Sequence, residues 1–502
     1  MHELPVSITE QLNNILQSLA YFAPETALAI LFLLVIITGL LFKNDANWIC
    51  RLLCLLGLVF VFQRDAQQLY LVVSGPKFLF GNMLLLHHIS VLFKLIFAVL
   101  TFIIIIYIPL DQPLKSHPKG LSDLYAILIA VVFGLHLMAM SVNLLMIYLS
   151  IEIVSIGSYL MVAYRSENRF AIESGLKYVL FGFAASAVML YGMSLLYAET
   201  GQLSLFNGQF LEQLIHASSI PVSLGILLVL AGIGFKLSFV PMHFWVPDVY
   251  EGASTPIVAF LSTLTKIAGF ALLANFLTPF VFYNKFQAFD FRLFFSVIAV
   301  MTMIIGNFAA IQQTNIKRML AYSAIGHTGF GLMALVTFSQ QGVSALLFYL
   351  AVYALANIGA LMLCSFYAGK NSMLTVENLC GLGKVYPFAG VCFVLILISL
   401  TGLPISAGFN AKVLVFSSVI EVYHQNHNVW MLALLVTGAV TTVVSLFYYF
   451  KIPLYLFLKS AENYHEKPTG NKQLPLLIII GLISATVFLL GIFPSVLANF
   501  LQ

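Results

Sequence analysis

Long runs of hydrophobic residues recur along this chain, separated by short polar segments. A helix needs about 20 predominantly apolar residues to cross a bilayer, and most of the runs approach or exceed that length. The pattern predicts about fourteen membrane spans, at 23–42, 47–63, 89–110, 121–140, 142–164, 171–198, 220–240, 256–280, 291–313, 318–338, 342–369, 387–422, 428–458 and 475–499. The loops are short and leave no room for a soluble domain. We therefore expect an all-α polytopic membrane protein.

Two spans and one connection depart from this regular pattern. Arg51 interrupts the second span, which makes that span the weakest in the series. The twelfth, 387–422, is too long for one straight crossing and contains TGLPISAGF, so we expect two half-helices around Pro404. Residues 202–219 (QLSLFNGQFLEQLIHASS) could lie flat as an amphipathic segment or form a plain loop.

Composition places the chain in the membrane class and argues against a bound redox group. Hydrophobic residues make up 61% of the chain and charged residues 8%, against about 25% charged in soluble domains. The five cysteines form no CxxC pair, and no GxGxxG opens a helix after a strand. We expect no cofactor or metal in this chain and no nucleic-acid partner. The start, MHELPVSITEQ, has no basic segment, so no cleaved signal peptide is predicted.

Basic residues in the loops predict the orientation of the chain. Loops after odd-numbered spans carry Lys43, Lys115, Lys119, Arg165, Arg169, Lys317, Arg318, Lys370, Lys384, Lys459, Lys467 and Lys472. Loops after even-numbered spans carry only Arg64, Lys77, Lys285 and Arg292. Loops rich in lysine and arginine stay in the cytoplasm. Both termini are therefore predicted on the outer, periplasmic side of a bacterial inner membrane.

Four charged residues lie deep inside predicted spans. Glu152 follows the start of the fifth span by about ten residues, which at ~1.5 Å rise per residue puts it near mid-membrane. Lys266 lies at a similar depth in the eighth span, and Lys236 and Lys412 lie deep in the seventh and twelfth. Each such charge costs about 2.5–3.5 kcal/mol. Four of them in one chain indicate a function.

Two of these lysines lie close to a proline. Pro241 cannot donate a hydrogen bond to the carbonyl of Leu237, and Pro404 cannot donate to that of Leu400. Freed carbonyls at membrane depth occur only where they are buried in protein or line a wet cavity. Each proline therefore predicts polar space beside a lysine.

The two interrupted spans, the seventh and the twelfth, lie five spans apart. Such spacing is typical of inverted five-helix repeats. We expect the first repeat at 121–283 and the second at 284–458. Residues 1–120 then form three N-terminal helices, and 459–502 hold the last span.

Proton transfer is the chemistry that these residues permit. A buried lysine can exchange a proton near neutral pH because burial disfavours its charged form, whereas a nearby carboxylate favours it. A change in the distance between Glu152 and Lys236 would therefore switch proton affinity. His327, His243 and His136 could add relay points, although a lone histidine is more often structural.

Three other lysines admit a structural interpretation. Lys94 and Lys451 lie near helix ends, where a long side chain usually reaches the interface, and this interpretation is favoured for both. Lys177, near the start of the sixth span, is compatible with either structural pairing or function.

Several motifs carry a resemblance: FKLSFVPMHFWVPDVYEGASTP, STLTKIAGF, NIKRMLAYSAIGHTGFGLM and LTGLPISAGFNAKVLVF. Over about 120–455 the chain resembles the antiporter-like membrane subunits of respiratory complex I. The resemblance implies fourteen helices, two inverted repeats and no bound redox centre. It matches Glu152 and Lys236 to the family's glutamate–lysine pair, Lys266 to its central lysine and Lys412 to its distal lysine. His327 falls in the matching motif of the tenth helix.

The expected function is that of a non-redox, proton-translocating membrane subunit of an NADH:quinone oxidoreductase. Its partners would be the bilayer and other membrane subunits of complex I, with NADH and quinone handled by other subunits. One alternative is a subunit of a multisubunit cation/proton antiporter. Another is a structural membrane subunit whose charges only lock helices together.

Overall fold

The structure, a computed structural model, describes residues 8–42, 46–282, 288–369, 374–459 and 474–501. Most of these residues are helical. The helices are α1 Ile8–Tyr21, α2 Ala23–Leu41, α3 Ala46–Val72, α4 His88–Tyr107, α5 Gln112–Lys115, α6 Ser122–Met140, α7 Leu144–Val162, α8 Arg169–Thr200, α9 Gly208–His216, α10 Ser219–Leu237, α11 Trp245–Gly252, α12 Thr255–Phe282, α13 Phe291–Ile311, α14 Ile316–Leu335, α15 Gln340–Ala368, α16 Leu382–Val385, α17 Pro387–Thr401, α18 Ala407–Asn426, α19 Val429–Pro453, α20 Leu474–Ile492 and α21 Pro494–Leu501. One hairpin joins β1 Lys77–Leu79 to β2 Leu84–Leu86, antiparallel, with Lys77 opposite Leu86.

In the described part of the chain, 12 helices are long and apolar enough to cross a membrane, or up to 13 if a bent pair counts as one span. The multi-pass, all-helical architecture is thereby confirmed. Two of the fourteen predicted spans fall outside the twelve. One is α14, whose side chains include Lys317, Arg318 and His327. The other is the predicted twelfth span, which is divided between α17 and α18. The full count of fourteen stays a prediction.

α14 can carry polar side chains because other helices enclose it. It packs mainly on α13 and α15, and most of its side chains are buried. α12 and α15 lie at the centre of the bundle, each with 94% of its apolar window buried. A helix enclosed by other helices does not need an apolar surface for lipid. The low hydropathy of α14 is therefore compatible with the predicted crossing, which stays a prediction.

The predicted interruption at Pro404 is present. α17 ends at Thr401, α18 begins at Ala407, and the residues between them include Gly402 at φ +80° and Ile405 at φ +69°. Arg51, in contrast, does not interrupt its helix. α3 runs for 27 residues through it, because Arg51 lies close to the helix start and is only partly buried.

The segment 202–219 contains a short helix, α9. It buries Phe210 and Leu214 on one side, as an amphipathic segment does. The plain-loop alternative is therefore wrong for its central part.

Orientation and domain boundaries stay predictions. Five of the loop lysines used for the orientation lie outside the described residues: Lys43, Lys285, Lys370, Lys467 and Lys472. The boundary between 283 and 284 also falls there.

Candidate functional site

Lys236 is buried where α10 ends. The helix stops at Leu237 because Ser238 takes a left-handed conformation at φ +58°, and the amide of Phe239 donates back to the carbonyl of Gly234 at 3.2 Å. The Lys236 side chain is 2% exposed, and its Nζ donates to Ser155 Oγ on α7 at 3.3 Å. The turn that follows contains Pro241. Lys236 thus points into protein and not toward the lipid surface.

Glu152 lies on α7 one helical turn before Ser155, so the two share a face of that helix. Its Oε1 is buried and accepts no hydrogen bond from a protein group. In the described part of the chain no ion pair within 4.0 Å joins Glu152 to Lys236, although Lys236 lies within electrostatic reach of Glu152. The predicted partners are therefore not paired in this structure, and Ser155 accepts the hydrogen bond of the ammonium group.

The carbonyl of Leu237, predicted to be freed by Pro241, accepts hydrogen bonds from two hydroxyls, one from the adjacent Ser238 and one from a residue of another helix. Thr328 Oγ1 on α14 lies 3.1 Å from that oxygen. The Nζ of Lys266 donates to Thr328 Oγ1 at 3.0 Å and to the carbonyl of Ala324 at 2.7 Å. Thr328 therefore connects the broken end of α10 to Lys266. Sequence reasoning missed it, although it follows His327 directly in GHTGFG.

His327 lies beside Thr328 in sequence and contacts two buried tyrosines. Its Nδ1 is 2.6 Å from the hydroxyl of Tyr349, and its Nε2 is 3.2 Å from that of Tyr449. The Tyr449 hydroxyl is also hydrogen-bonded to Ser323. The ring of Tyr353 packs against His327 at 4.7 Å between centroids. None of the tyrosines was predicted, because a buried tyrosine in an apolar span gives no separate sequence signal.

Lys412 lies on α18 just beyond the second interruption. Its Nζ donates to the carbonyl of Thr401 at 2.8 Å and to Thr442 Oγ1 at 3.2 Å. The ammonium also lies 4.6 Å from the centroid of the Phe330 ring, a cation–π contact. The predicted polar space beside Pro404 exists, but the carbonyl that Lys412 reaches is that of Thr401. The reason is that α17 ends three residues before the proline.

A small cavity joins the surroundings of His327 to those of Lys412. Tyr349, Tyr353 and Ser399 help to line it, together with both residues. Its size corresponds to about one water molecule. His327 is also within electrostatic reach of Lys266 and of Lys412. We call Lys236, Thr328, Lys266, His327 and Lys412 the central polar row.

Lys177 lies away from this row. Its Nζ is 2.8 Å from a carboxylate oxygen of Glu173 and 3.0 Å from one of Asp248. Arg318 contacts Asp248 at 2.7 Å and Glu251 at 2.8 Å. The network ties α8, α11 and α14 together. Burial raises the pKa of Asp248, but hydrogen bonds from Lys177 and Arg318 outweigh it and hold that pKa below its usual value.

His243 lies in the turn between α10 and α11. It is buried, and burial lowers its pKa below the ordinary value. Its Nδ1 makes no hydrogen bond, and its ring packs on Phe244 at 4.5 Å between centroids. Among the described residues no hydrogen bond joins the His243 side chain to a member of the central polar row.

The interfacial interpretation of Lys94 is wrong. The side chain is fully buried, with its Nζ 2.7 Å from Glu25 and 3.4 Å from Asp65. Its partners are far away in sequence, so spacing could not reveal them. Lys451 is partly buried and donates to the carbonyl of Ile311.

Comparison with known proteins agrees with this architecture. The transmembrane family model described as NADH:quinone oxidoreductase/Mrp antiporter matches residues 141–445. NADH-quinone oxidoreductase subunit N of Chlorobium chlorochromatii (strain CaD3) is 35% identical over 512 residues, covering 100% of this chain and 98% of the relative.

Solved structures show the same fold. A chain of respiratory complex I from Thermus thermophilus superposes with a TM-score of 0.76 at 27% identity, covering 95% of this chain and 98% of that one. A chain of the Mrp complex from Dietzia sp. DQ12-45-1b superposes with a TM-score of 0.76 at 19% identity, covering 96% of each, and shows the fold alone. The relative from Chlorobium is named as an N-type subunit, and the family model covers more than half of this chain. This chain therefore belongs to the NADH:quinone oxidoreductase/Mrp antiporter family of membrane subunits.

Proposed function

We propose that this chain is the proton-translocating membrane subunit of a respiratory NADH:quinone oxidoreductase. The relative that aligns with it over its full length is named as subunit N of that enzyme. In this proposal NADH oxidation and quinone reduction take place in other subunits, and this chain carries no redox group. It assembles with other membrane subunits in a bacterial inner membrane, with both termini on the periplasmic side.

The central observation is the hydrogen-bonded connection from the end of α10 to Lys266. Thr328 lies within hydrogen-bond distance of both the Leu237 carbonyl and the Lys266 ammonium. Proton transfer requires donors and acceptors at such distances, directly or through one water. Because Lys236 is the residue before Leu237, Thr328 brings the surroundings of two buried lysines together.

Lys266 and Lys412 have no carboxylate within ion-pair distance among the described residues. Lys266 and Lys412 donate only to carbonyls and hydroxyls among the described residues. A buried ammonium without a counter-ion is costly, and losing its proton relieves that cost. Neutral groups that can donate or accept, such as these hydroxyls, tolerate either state of the lysine. Such surroundings suit residues that alternate between charged and neutral forms.

His327 extends the row toward Lys412. Its two ring nitrogens each face a tyrosine hydroxyl, so the ring can accept a proton on one side and donate on the other. The cavity beside it has space for about one water, which would bridge the distance to Lys412.

Glu152 acts in this proposal as a variable partner of Lys236. Ser155 holds the ammonium one helical turn from the carboxylate. A movement of the flexible lysine along α7 would exchange the hydroxyl for an ion pair. The proton affinity of Lys236 would rise in the paired position and fall in the position observed.

A cation/proton antiporter subunit is the competing function, because the family and the fold include both kinds of protein. The full-length likeness to an oxidoreductase subunit favours the proposed function in an NADH:quinone oxidoreductase. A purely structural role for the charges is the third possibility, and mutation of a charged residue distinguishes it from the two transport functions.

The test is Lys266→Ala in the assembled complex in inverted membrane vesicles. We expect a large loss of NADH-driven proton pumping with normal assembly and no dependence on sodium. Lys115→Ala, at the exposed last residue of α5, is the matched control and should pump normally. Normal pumping by an assembled Lys266→Ala complex would favour the structural role. Sodium-dependent transport would favour the antiporter.

A further inference from the structure

A second group of buried charges lies in the N-terminal helices, away from the central polar row. The Nζ of Lys94 is 2.7 Å from Glu25 Oε1, 3.4 Å from Asp65 Oδ1 and 2.5 Å from Gln68 Oε1. The Nδ1 of His136 is 3.2 Å from the same Glu25 oxygen. The side chains of the four ionisable residues are 0% exposed. We call these five residues the N-terminal charge cluster.

The cluster lies outside the segment that the family model covers, which begins at residue 141. Its members come from four helices but gather near one end of the bundle. Glu25 is close to the start of α2 and Lys94 to that of α4, whereas Asp65 and His136 precede the ends of α3 and α6. At ~1.5 Å rise per residue, each lies about 3–11 Å from its helix end.

The charges of the cluster do not balance. Two carboxylates face one ammonium, which leaves a surplus negative charge when His136 is neutral. Neither oxygen of Asp65 accepts a hydrogen bond from a protein group, and neither does Glu25 Oε2. The Nε2 of His136 is likewise without a hydrogen-bond partner. An uncompensated buried charge is strongly disfavoured, so binding one more positive charge would stabilise the cluster.

No neighbouring side chain supplies that charge. The four helices carry four other charged or histidine residues, which are Arg51, Arg64, His88 and Asp123. In the described part of the chain none of them forms an ion pair with the cluster. The same is true of His87 at the start of α4 and of Glu152 on α7. Gln68 is neutral and donates to the carbonyl of Tyr21 at 2.7 Å.

A proton fits this site better than a metal ion. Glu25, Asp65 and His136 each offer one ligand atom, and these atoms lie within 4.8 Å of one another. However, the ammonium of Lys94 already lies 2.7 Å from Glu25, so a metal ion would be placed against a positive charge. Hard cations such as Ca²⁺ also need about six to eight oxygen ligands. A proton needs only one lone pair, and unpartnered ones are available on Asp65, Glu25 and His136.

We propose that the N-terminal charge cluster is a proton-binding site, in which Asp65, Glu25 and His136 share one exchangeable proton and Lys94 is the fixed counter-charge. The site lies one helix away from Glu152. α6 packs on α7, where a side chain at Gly134 would come within 2.7 Å of Val154. This inference does not rest on the proposed function, because it concerns groups outside the central polar row.

The test compares the full chain with Asp65→Asn in lipid nanodiscs by pH-difference infrared spectroscopy. The substitution removes the surplus charge but leaves the Glu25–Lys94 ion pair. We expect the wild type to show a band of a protonated carboxyl or of a protonated imidazole that titrates between mildly acidic and mildly alkaline pH. That band should be lost in Asp65→Asn. Asp123→Asn, at an exposed position of α6, is the matched control and should retain it.

Two outcomes would overturn the proposal. Identical difference spectra of the wild type and Asp65→Asn would show that the cluster is a fixed structural ion-pair network. A spectral change driven by sodium chloride at constant pH, and not by choline chloride, would identify a cation site. If Asp65→Asn does not fold, Glu25→Gln carries the same expectation, since it also removes the surplus charge and keeps the Asp65–Lys94 pair.

Discussion

The hydroxyl of Thr328 lies 3.1 Å from the carbonyl oxygen of Leu237, the last residue of α10. A helix that stops inside a bundle leaves its last carbonyls without backbone partners. Here a side chain from α14 accommodates one of them and also accepts a hydrogen bond from Lys266. Thr328, which donates to the last carbonyl of α10, is thus also part of the polar connection between Lys236 and Lys266.

Thr328→Val keeps the shape of the side chain and removes the hydroxyl. The Leu237 carbonyl loses one donor but keeps the hydroxyl of Ser238, and Lys266 loses one of its two acceptors but keeps the carbonyl of Ala324. Each lost hydrogen bond costs about 0.5–1.5 kcal/mol. We expect proton pumping by the assembled complex to fall by about tenfold, since about 1.4 kcal/mol in a barrier is tenfold in rate. Thr328→Ser retains the hydroxyl and should pump close to the wild-type rate. Equal pumping by the Val and Ser variants would contradict the role of the hydroxyl.

Glu152→Gln removes the carboxylate and keeps the size of the side chain. The ion-paired position of Lys236 then disappears, so its proton affinity should vary less and coupled turnover should fall. Glu152→Asp keeps the charge on a shorter stem and should do less harm. NADH-driven pumping of both variants in membrane vesicles measures this difference, and wild-type activity of the Gln variant would show that the carboxylate is only structural.

Gly402→Ala tests the contact between Lys412 and the interruption. Gly402 has φ +80°, and an added Cβ would come within 2.7 Å of Lys412 Cδ. We expect a loss of about 1 kcal/mol in stability from the left-handed backbone and a further loss of pumping from the displaced lysine. Gly201→Ala is the matched control, because Gly201 has φ +63° and no atom within 4 Å of the added Cβ. Thermal unfolding should change similarly in both variants, whereas pumping should fall only in Gly402→Ala.

Asp248→Asn weakens the network that ties α8, α11 and α14 together. The pKa of Asp248 is held below its usual value in the folded protein. Its charge therefore stabilises the fold above its unfolded pKa of about 3.9, and this contribution is lost as the pH falls through the folded pKa. Because the pair is partly exposed, we expect a loss of at most about 1 kcal/mol at neutral pH. Unfolding of the variant and the wild type should converge toward acidic pH, and pumping should be unchanged at neutral pH.

Local sequence properties were sufficient for the membrane architecture and for three of the buried lysines, Lys236, Lys266 and Lys412. Hydropathy is a property of each helix by itself, so the hydrophobic runs in the sequence locate most of the membrane spans. A charge such as Lys266 in the middle of a run is visible without knowing its neighbours. A proline such as Pro404 breaks a helix through its own ring and missing amide hydrogen, which is also a local effect.

Contacts between helices could be decided only by the tertiary structure. Lys94 and Glu25 are separated by 69 residues, and nothing in either helix alone shows that they form an ion pair. Thr328 gives no separate signal in the sequence, because its hydroxyl meets the carbonyl of Leu237 only in the folded bundle. Ser155, rather than Glu152, receives the ammonium of Lys236 because side-chain reach and helix packing set that distance. Helix formation depends on neighbours along the chain, whereas the partner of a buried polar group depends on which faces of distant helices meet.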